Sequence, residues 1–555
     1  MAVVHRSVVR FAVVALGAAV FGITTAPVTN PATFGSRITT VLVTARDFSF
    51  TLSRVSVAVG TTRFVVTNSG VLPHDFEIAG RRTRVLKQGE RATIVVHFRK
   101  AGRYPYRCSI PGQRDLGMRG VVVVSKPGSG GAGPPPPPAP TALYVDQRNP
   151  NCSDLGSGVV GQPFCKIAPA ASRLTAGQTV IVFSGTYNET VTVPRSGAAG
   201  APINLVAAPG DNVSVTGARS SRSFGFYVNG RRYVTIMGFN VNGSGADGIV
   251  VSNSANITIR GNHVSHAGRA VQGRLAAGIR LEGATHSVVA GNTVDHNTNY
   301  GIYLLSRSTR NQIVGNHVFQ NARVIERAAA GIGVISSPAN TFSRNISHDN
   351  EDSGIAFLMG SNNSLVRDNV LYNNGDHGID NYRSTGQRII GNTVYKNVAA
   401  GINVEAHSTG ARIANNISVE NGVRSPRTNG DVRVESGSTA GTTMDYDLVY
   451  RTSRDTILVW NSVSYASLAA FKSATGQEAH GRQRNPRFRN AAGGDFHLNG
   501  HSPAIDSANS AVRGQPRTDV DGNARWDDPA VRNTGVGPRR YDDRGANEFR
   551  NSRRA

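Results

Sequence analysis

The chain has 555 residues, of which 62 are glycine, and only 7% of its residues are aromatic. This composition favours a turn-rich β protein and argues against a helical one. The formal net charge is +24, yet no dense basic run occurs before the tail at 550–554, so specific nucleic-acid binding is not expected. The charge fits either affinity for polyanions such as an acidic polysaccharide or an arginine-rich solvated surface, and the sequence leaves both open.

The first 26 residues have the layout of a signal peptide. Basic residues precede an apolar run at 11–23, which is short for a membrane span, and small residues follow it. We therefore expect an exported protein, secreted or at the cell surface, with an uncleaved N-terminal anchor as the alternative and no later membrane span. In an oxidising compartment Cys152 and Cys165 are near enough in sequence to close a small loop, which leaves Cys108 unpaired.

Residues 38–126 are predicted to form a compact β-sandwich. Short strand-like runs alternate there with turns such as Asn68-Ser69-Gly70. His74 follows one of the strand-like runs, and Cys108 and Met118 lie near the end of the segment. An imidazole, a soft thiolate and a thioether are the ligand types that select copper in an electron-transfer site.

This segment resembles the cupredoxin (type 1 blue-copper) family over nearly its whole length. By that resemblance His74, Cys108 and Met118 fall on three of the four copper positions, and the fourth, a histidine in the family, is Gln113 here. An amide oxygen is a harder and weaker copper ligand than imidazole. Three alternatives therefore stay open for Cys108: a ligand in an altered copper site, no ligand role, or a reactive thiol. A docking or electron-delivery module is the expected role.

Residues 127–140 are predicted to be a linker. A Gly/Ser-rich half is followed by a proline run, the first typical of a flexible chain and the second of a stiff polyproline spacer. The linker predicts two units that fold separately.

Residues 141–440 contain an internal repeat. Gly-Ile pairs recur from Gly248 to Gly401 at intervals of 23, 24 or 30 residues, and Gly-Asn-x-Val or a close variant recurs between them. This period, with β-branched runs broken by Gly and Asn, predicts a right-handed parallel β-helix. The isoleucines form a predicted buried stack. An asparagine ladder is predicted at Asn297, Asn321, Asn350, Asn374, Asn397 and Asn421.

The start of this segment resembles secreted right-handed β-helix proteins of the pectate-lyase-like class. The resemblance rests on Tyr144-Val145, Pro163-Phe164, Gly177-Gln178 and Gly185-Thr186-Tyr187, with a capping patch at 168–174 between them. It specifies a fold much more strongly than an activity. After residue 440 the repeat fades, and residues 441–555 are predicted to form a closing layer and a C-terminal cap.

The candidate site lies where the outward columns of the repeat vary. Polar residues on neighbouring rungs offer acids, bases and a cation for lyase, epimerase or hydrolase chemistry, with a solvated polar face as the alternative. The predicted catalytic residues are Asp352, Asp376, His377, Asp380 and Lys396, and the predicted substrate-binding residues are Arg280, Tyr303, Tyr382 and Glu405. Asp352 and Asp376 stand one rung apart, which also predicts a calcium site.

The all-β chain is thus expected to be an exported, monomeric protein acting on an acidic polysaccharide, either a polysaccharide lyase or epimerase or a glycoside hydrolase. The alternative is a non-catalytic protein that handles copper or binds a polysaccharide or a surface.

Overall fold

The computed structural model describes residues 38–126, apart from 47, 48, 71, 111, 112 and 115–117, and residues 142–550, apart from 219, 221, 269–275, 323–328, 424 and 426. The predicted signal peptide and linker therefore lie outside the described residues. No described helix is long and apolar enough to cross a membrane.

Two sheets form the first domain, and they enclose a core of aromatic and β-branched side chains. Sheet A contains Ser49–Leu52, Thr39–Arg46, Gly60–Asn68 and Arg91–Phe98 in that order. Sheet B contains Ser56–Ala58, Arg119–Ser125, Gly102–Arg107, Glu77–Ile78 and Arg81–Arg82. Phe64, Phe76 and Phe98 are at most 1% exposed between them. The alternation of buried and exposed residues along each strand produces this two-layer packing, and the predicted β-sandwich is confirmed.

Three parallel sheets of 12 strands each form the second domain, a parallel β-helix. Sheet C contains Ala142–Val145, Thr179–Val182, Ile203–Ala207, Arg232–Met237, Ala255–Arg260, Val288–Ala290, Gln312–Val314, Thr341–Ser343, Leu365–Arg367, Arg388–Ile390, Arg412–Ala414 and Thr443–Asp445. Sheet D contains Gly185–Tyr187, Val213–Val215, Asn240–Asn242, His263–Ser265, Thr293–Asp295, His317–Phe319, Ile346–His348, Val370–Tyr372, Thr393–Tyr395, Ile417–Val419, Leu448–Tyr450 and Arg482–Gln483. Sheet E contains Val191–Thr192, Phe226–Asn229, Ile249–Ser252, Ile279–Glu282, Ile302–Leu305, Ile332–Ile335, Ile355–Leu358, Ile379–Tyr382, Ile402–Glu405, Val432–Val434, Leu458–Trp460 and an antiparallel last strand, Val463–Tyr465.

The Gly-Ile pairs begin the strands of sheet E. The predicted stack is confirmed, because Ile249, Ile279 and their equivalents up to Ile402 lie in register and are fully buried. Glycine is required before them, since a Cβ at Gly248 would lie 2.4 Å from Val264 Cγ1 and 2.7 Å from the Gly278 carbonyl oxygen. Each pair therefore brings two neighbouring rungs into backbone contact at a corner of the solenoid.

Two asparagine ladders run along the solenoid, one more than the sequence predicted. In the predicted ladder each side-chain amide donates to the next rung, as from Asn297 Nδ2 to Asn321 Oδ1 at 2.9 Å, and the last acceptor is Asp431. The second ladder comes from the Gly-Asn-x-Val motifs and ends on Asp447. Its asparagines are Asn262, Asn292, Asn316, Asn345, Asn369, Asn392 and Asn416. Both ladders satisfy buried backbone and side-chain groups at the turns.

Short elements close the solenoid at both ends. The helix Ile167–Arg173 packs on the first rungs beside the disulfide Cys152–Cys165. At the far end lie the helix Leu468–Thr475, the 3-10 turns Ser436–Ser438 and Ala491–Gly493, and the hairpin Phe488–Asn490 with Asp495–Leu498. The segment after residue 500 folds back over sheets C and D, where buried Arg525 pairs with Asp368 at 2.9 Å and Glu548 at 2.8 Å.

The two domains pack against each other through an apolar contact. Tyr144, Ile181, Val206 and Met237 are successive outward residues of sheet C and lie in register. Ile181 and Val206 are nevertheless only 0% and 1% exposed. They form one cluster with Leu72, Cys108, Met118 and the half-buried Ile110 of the first domain. The domain thus covers the outer face of the first rungs with the end that carries its candidate copper ligands.

Candidate functional site

An outward row of sheet E forms the floor of the candidate site. Because side chains alternate along a strand, the residue after each buried isoleucine points away from the core. Register places these residues side by side in the order Arg280, Tyr303, Gly333, Ala356, Asp380, Asn403 and Arg433. The row therefore has polar ends and two small residues at its centre.

His377 lies at the turn before the strand Ile379–Tyr382 and is only 5% exposed. Its Nδ1 lies 3.3 Å from Asp376 Oδ1 and 3.8 Å from Asp380 Oδ1. Its Nε2 lies 2.8 Å from the Thr428 hydroxyl. The imidazole thus bridges a pair of carboxylates on one side and a hydroxyl on the other.

Arg427 neutralises the carboxylate beside this histidine. Its guanidinium reaches both oxygens of Asp376, with Nη1 3.0 Å from Oδ2 and Nη2 2.9 Å from Oδ1. Such a two-point contact fixes both the position and the charge of the carboxylate. Arg427 and Thr428 lie between the strands Ile417–Val419 and Val432–Val434, and both contact the turn that holds His377.

Asp380 connects the histidine to a second network. Asn403 Nδ2 donates to Asp380 Oδ1 at 2.9 Å, and Arg433 Nη1 donates to Asn403 Oδ1 and to Glu405 Oε2, each at 2.8 Å. Burial raises the pKa of Asp380 well above its usual range, and the negative charge of Glu405 adds to the effect. Asp380 is therefore an acid that keeps its proton where an exposed aspartate has lost it.

Two tyrosines form a wall at the other end of the row. Tyr300 and Tyr303 stack at 4.3 Å, and the Tyr300 ring lies over Gly333, where a Cβ would come within 2.4 Å of the ring. Burial raises the pKa of both phenols, so they remain neutral donors. Beyond them Arg280 lies 3.5 Å from both Asp247 and Glu282.

The candidate copper ligands of the first domain form a hydrogen-bonded cluster. Gln113 Oε1 lies 2.7 Å from His74 Nδ1 and accepts from Cys108 Sγ at 3.1 Å, while Gln113 Nε2 donates to the Pro73 carbonyl at 3.1 Å. The side chains of His74, Cys108, Gln113 and Met118 are each at most 1% exposed. Burial raises the pKa of the Cys108 thiol to about 12, so the thiol keeps the proton that it donates.

Comparison with protein families assigns a family model to each of the two domains. A model of the "Pel9A-like, right handed beta helix region" matches residues 143–435, more than half of the chain. The chain belongs to this Pel9A-like β-helix family. A model of the cupredoxin-like domain matches residues 13–124. Both resemblances drawn from the sequence are thereby confirmed.

Individual relatives of this β-helix protein are distant. The Bacillus subtilis (strain 168) protein YwoF is 26% identical over 438 residues, which cover 65% of this chain and 92% of YwoF. The mannuronan C5-epimerase of Pseudomonas putida is 31% identical over 140 residues, which cover 24% of this chain and 25% of the epimerase. Among solved structures, pectate lyase Pel9A has 17% identity and a TM-score of 0.48, with 74% of this chain and 98% of Pel9A covered.

Within the Pel9A-like β-helix, the predicted site residues lie in three places. Asp376, His377 and Asp380 share one cluster with Glu405, and the charge of Asp352 reaches Asp380. Arg280 and Tyr303 lie further along the same row, and Tyr382 is in register with Glu405. Lys396 is on a different face, at the end of a sheet D strand, where its ammonium lies 5.3 Å from the centre of the Tyr395 ring.

The cations of the site were missed by sequence reasoning. Arg433 extends the column of Asp380 and Asn403 by one rung, but its strand begins with Val432 and not with a Gly-Ile pair. Extending the column of Asp380 and Asn403 by one more rung would have predicted Arg433. Arg427 lies in an irregular connection, for which alternation carries no information.

Neither predicted metal site fits the residues around it. Calcium requires six to eight oxygen ligands, whereas both oxygens of Asp376 are bound by Arg427, and Asp352 Oδ1 accepts from the Ser353 backbone N–H at 2.6 Å. Across the described ranges, no group of three or more His, Cys, Asp or Glu residues is arranged to hold a metal ion.

The copper site departs from a metal geometry in a different way. Three ligand atoms around one ion at about 2.1 Å stand roughly 3.6 Å apart in a trigonal plane. The contacts of Gln113 Oε1 at 2.7 and 3.1 Å are instead hydrogen-bond distances, and all three side chains are buried, so no exposed member of the cluster can move to open it. The amide oxygen thus forms hydrogen bonds with the imidazole and the thiol directly.

Proposed function

We propose that the β-helix acts on an acidic polysaccharide by removing the proton next to a uronate carboxylate, as a lyase does. The arrangement around His377 carries this proposal: a buried imidazole lies between Asp376, which Arg427 binds, and Asp380, which Asn403 links to Arg433. Family membership and the partial likeness to a mannuronan C5-epimerase support the choice of an acidic glycan. Export and a monomeric state, predicted from the sequence, are part of the same proposal.

His377 is the proposed base. With Asp376 next to Nδ1, the neutral ring presents its Nε2 lone pair where Thr428 now donates. A substrate C–H that replaces the Thr428 hydroxyl meets a base whose orientation is fixed by a carboxylate. The imidazolium that forms is stabilised by the negative charge of Asp376.

The arginines provide the positive charge that this chemistry needs. Removing a proton beside a carboxylate places a second negative charge on that group, and a guanidinium lowers the cost of this charge by fork-like hydrogen bonding. Arg427 is 32% exposed and Arg433 15%, so part of each side chain is accessible from solvent. An arginine thus takes the role for which the sequence predicted calcium.

Asp380 is the proposed acid, because its raised pKa keeps it protonated. In elimination, His377 takes the C5 proton, the C4–O bond breaks with formation of a C4=C5 double bond, and the leaving oxygen takes the Asp380 proton. In epimerisation the C4–O bond stays intact and a proton returns to the opposite face of C5. The pairing of a base with a protonated acid favours elimination.

The test is activity of the full chain on polyuronates, followed by the ultraviolet absorption of the unsaturated product. We expect His377→Asn and Asp380→Asn each to lower kcat by on the order of 100-fold or more. His286→Asn is the matched control, because His286 is an exposed turn residue away from the row, and its activity should equal that of the wild type.

Two results contradict the proposal. One is turnover that His377→Asn and Asp380→Asn leave unchanged. The other is release of reducing ends without the unsaturated chromophore, which identifies a hydrolase. Inverted C5 stereochemistry without chain cleavage places the same site in the epimerase class.

For the first domain we infer a docking role and no copper chemistry. Its candidate ligands are hydrogen-bonded among themselves, and the same end of the domain packs on Ile181 and Val206. Both observations argue against a copper-handling protein. Electron delivery needs a metal and is not part of this proposal.

A further inference from the structure

The outer face of sheet D carries histidines that the proposed reaction does not use. Five of the 14 histidines in the chain lie along this face, on strands or at the turns that follow them, and they are His263, His266, His296, His317 and His348. His317 begins one strand and His348 ends the strand on the next rung. The solenoid therefore brings together two imidazoles that are 31 residues apart in sequence.

These two rings face each other through their Nε2 atoms, which are 2.8 Å apart. On the opposite side of His348, Nδ1 lies 2.7 Å from Asp349 Oδ2. When a carboxylate holds the Nδ1 proton, the neutral ring has its lone pair on Nε2, which is the arrangement of a metal-binding histidine with an outer carboxylate.

Aromatic neighbours hold His348 in place and leave His317 accessible. Phe319 stacks on the His348 ring at 5.2 Å and Tyr372 at 4.5 Å, and the His348 side chain is only 13% exposed. His317 contacts Phe319 at 4.6 Å but is exposed to solvent. One ligand is thus fixed by packing, and the other is able to adjust.

We propose that His317 and His348 form a binding site for a divalent transition-metal ion such as Zn²⁺ or Ni²⁺, with Asp349 as the outer carboxylate. Imidazole suits these ions, which bind nitrogen at about 2.0–2.1 Å. Two such ligands in a tetrahedral site stand roughly 3.4 Å apart, so the pair must open by about half an ångström. The exposed side chain of His317 provides this movement.

A second diagonal pair on the same face provides an internal comparison. His263 Nε2 and His296 Nδ1 each lie 2.6 Å from an oxygen of Asp295. The hydrogen bond to Asp295 raises the pKa of His263. A carboxylate thus occupies the place that His348 has in the other pair, so His263 faces an acidic side chain and not a second imidazole.

The test is calorimetric titration of metal-free, full-length protein with Zn²⁺ and with Ni²⁺. We expect one binding event that His317→Ala and His348→Ala each abolish, and that Asp349→Asn weakens by about 10- to 100-fold. His263→Ala and Cys108→Ser are the controls, and each should bind as the wild type does. Nitrogen hyperfine coupling from bound Cu²⁺, lost in His317→Ala, is the expected spectroscopic signature.

Binding that survives His317→Ala, or that His263→Ala removes to the same extent, overturns the proposal. Because the readout is binding and not turnover, its outcome is independent of the polysaccharide chemistry.

Discussion

At the scale of single residues, Gln113 forms hydrogen bonds with its neighbours that a histidine in its place could not form. Its carbonyl oxygen accepts from the Cys108 thiol and contacts the His74 ring, and its amide donates to a backbone carbonyl. An imidazole at this position cannot accept from both groups and also donate in the same directions. The amide therefore stabilises a closed cluster in which the thiol stays protonated.

Replacing this residue tests the inference directly. We expect Gln113→His to restore a His₂Cys ligand set and to bind Cu²⁺ with an intense visible absorption, whereas the wild type shows none. The measurement is absorption during copper titration of the full chain. In the double variant Gln113→His with Cys108→Ser the band should disappear. A wild-type protein that already turns blue contradicts the docking-only role.

Single residues also show what the sequence could predict about the site. Asp376, His377 and Asp380 were predicted because they interrupt a regular column, and a rigid repeat makes such breaks readable. Lys396 was predicted from its register, one residue before the ladder residue Asn397, but that register places it at the turn after a sheet D strand and so on another face. The partner of Asp376 comes from a connection 51 residues away, which periodicity cannot place.

At the scale of elements, each asparagine ladder has a direction. Every asparagine donates towards the C-terminal end and accepts from the rung before it, so the last residue needs only to accept. Asp431 and Asp447 meet this requirement, and the second oxygen of Asp431 has no hydrogen-bond partner within the described chain. Burial raises the pKa of Asp431 to about 8.

The raised pKa predicts how stability depends on pH. An unfolded aspartate has a pKa of about 3.9, so between this value and the folded pKa the native state binds more protons. Stability due to Asp431 is therefore present in acid and is lost as the pH rises towards about 8. From about pH 5 to about pH 9, Asp431→Asn should lose less stability than the wild type, by on the order of 3 kcal/mol. Urea unfolding at the two pH values measures the difference.

The reverse exchange within the ladder is the control. Asn397→Asp removes the donor to Asn421 Oδ1 and places a carboxylate against an acceptor. It should destabilise the protein most at high pH, by on the order of 2 kcal/mol or more. Equal effects of the two isosteric exchanges would show that ladder direction has no energetic consequence.

At the scale of the whole molecule, the two domains share an apolar contact. The outward row Tyr144, Ile181, Val206 and Met237 is apolar on the first rungs and changes to Arg260 on the next. Exposed apolar patches of this kind mark interaction surfaces. Strand register is needed to show that these four apolar residues form one row. Their apolar character alone does not identify the first domain as the surface that covers them.

A charge in the middle of this contact should separate the domains. We expect Ile181→Asp to increase the radius of gyration of the full chain in X-ray scattering, because a buried carboxylate without a partner is costly. Ala290→Asp, on the same outward row beyond the contact, should leave the scattering curve unchanged. An unaltered curve for Ile181→Asp would mean that the contact does not hold the domains together.

The fold of the second domain was more predictable than its site, because the fold repeats and the site does not. The isoleucine stack and one ladder followed from spacing alone. The asparagines of the second ladder belong to the Gly-Asn-x-Val motifs. Only strand register shows that their side chains face inward at a corner and bond from rung to rung.

The ladders also determine how a solenoid of this kind can change in length. Each complete rung brings one donor and one acceptor to each ladder, so a duplicated rung inserted before the terminal aspartates leaves every inherited bond intact. Such an insertion between Gly333 and Ala356 would move Tyr303 about 4.8 Å further from Asp380 without disturbing the acid, the base or the arginines. The length of the binding row and the chemistry at its end can therefore evolve separately.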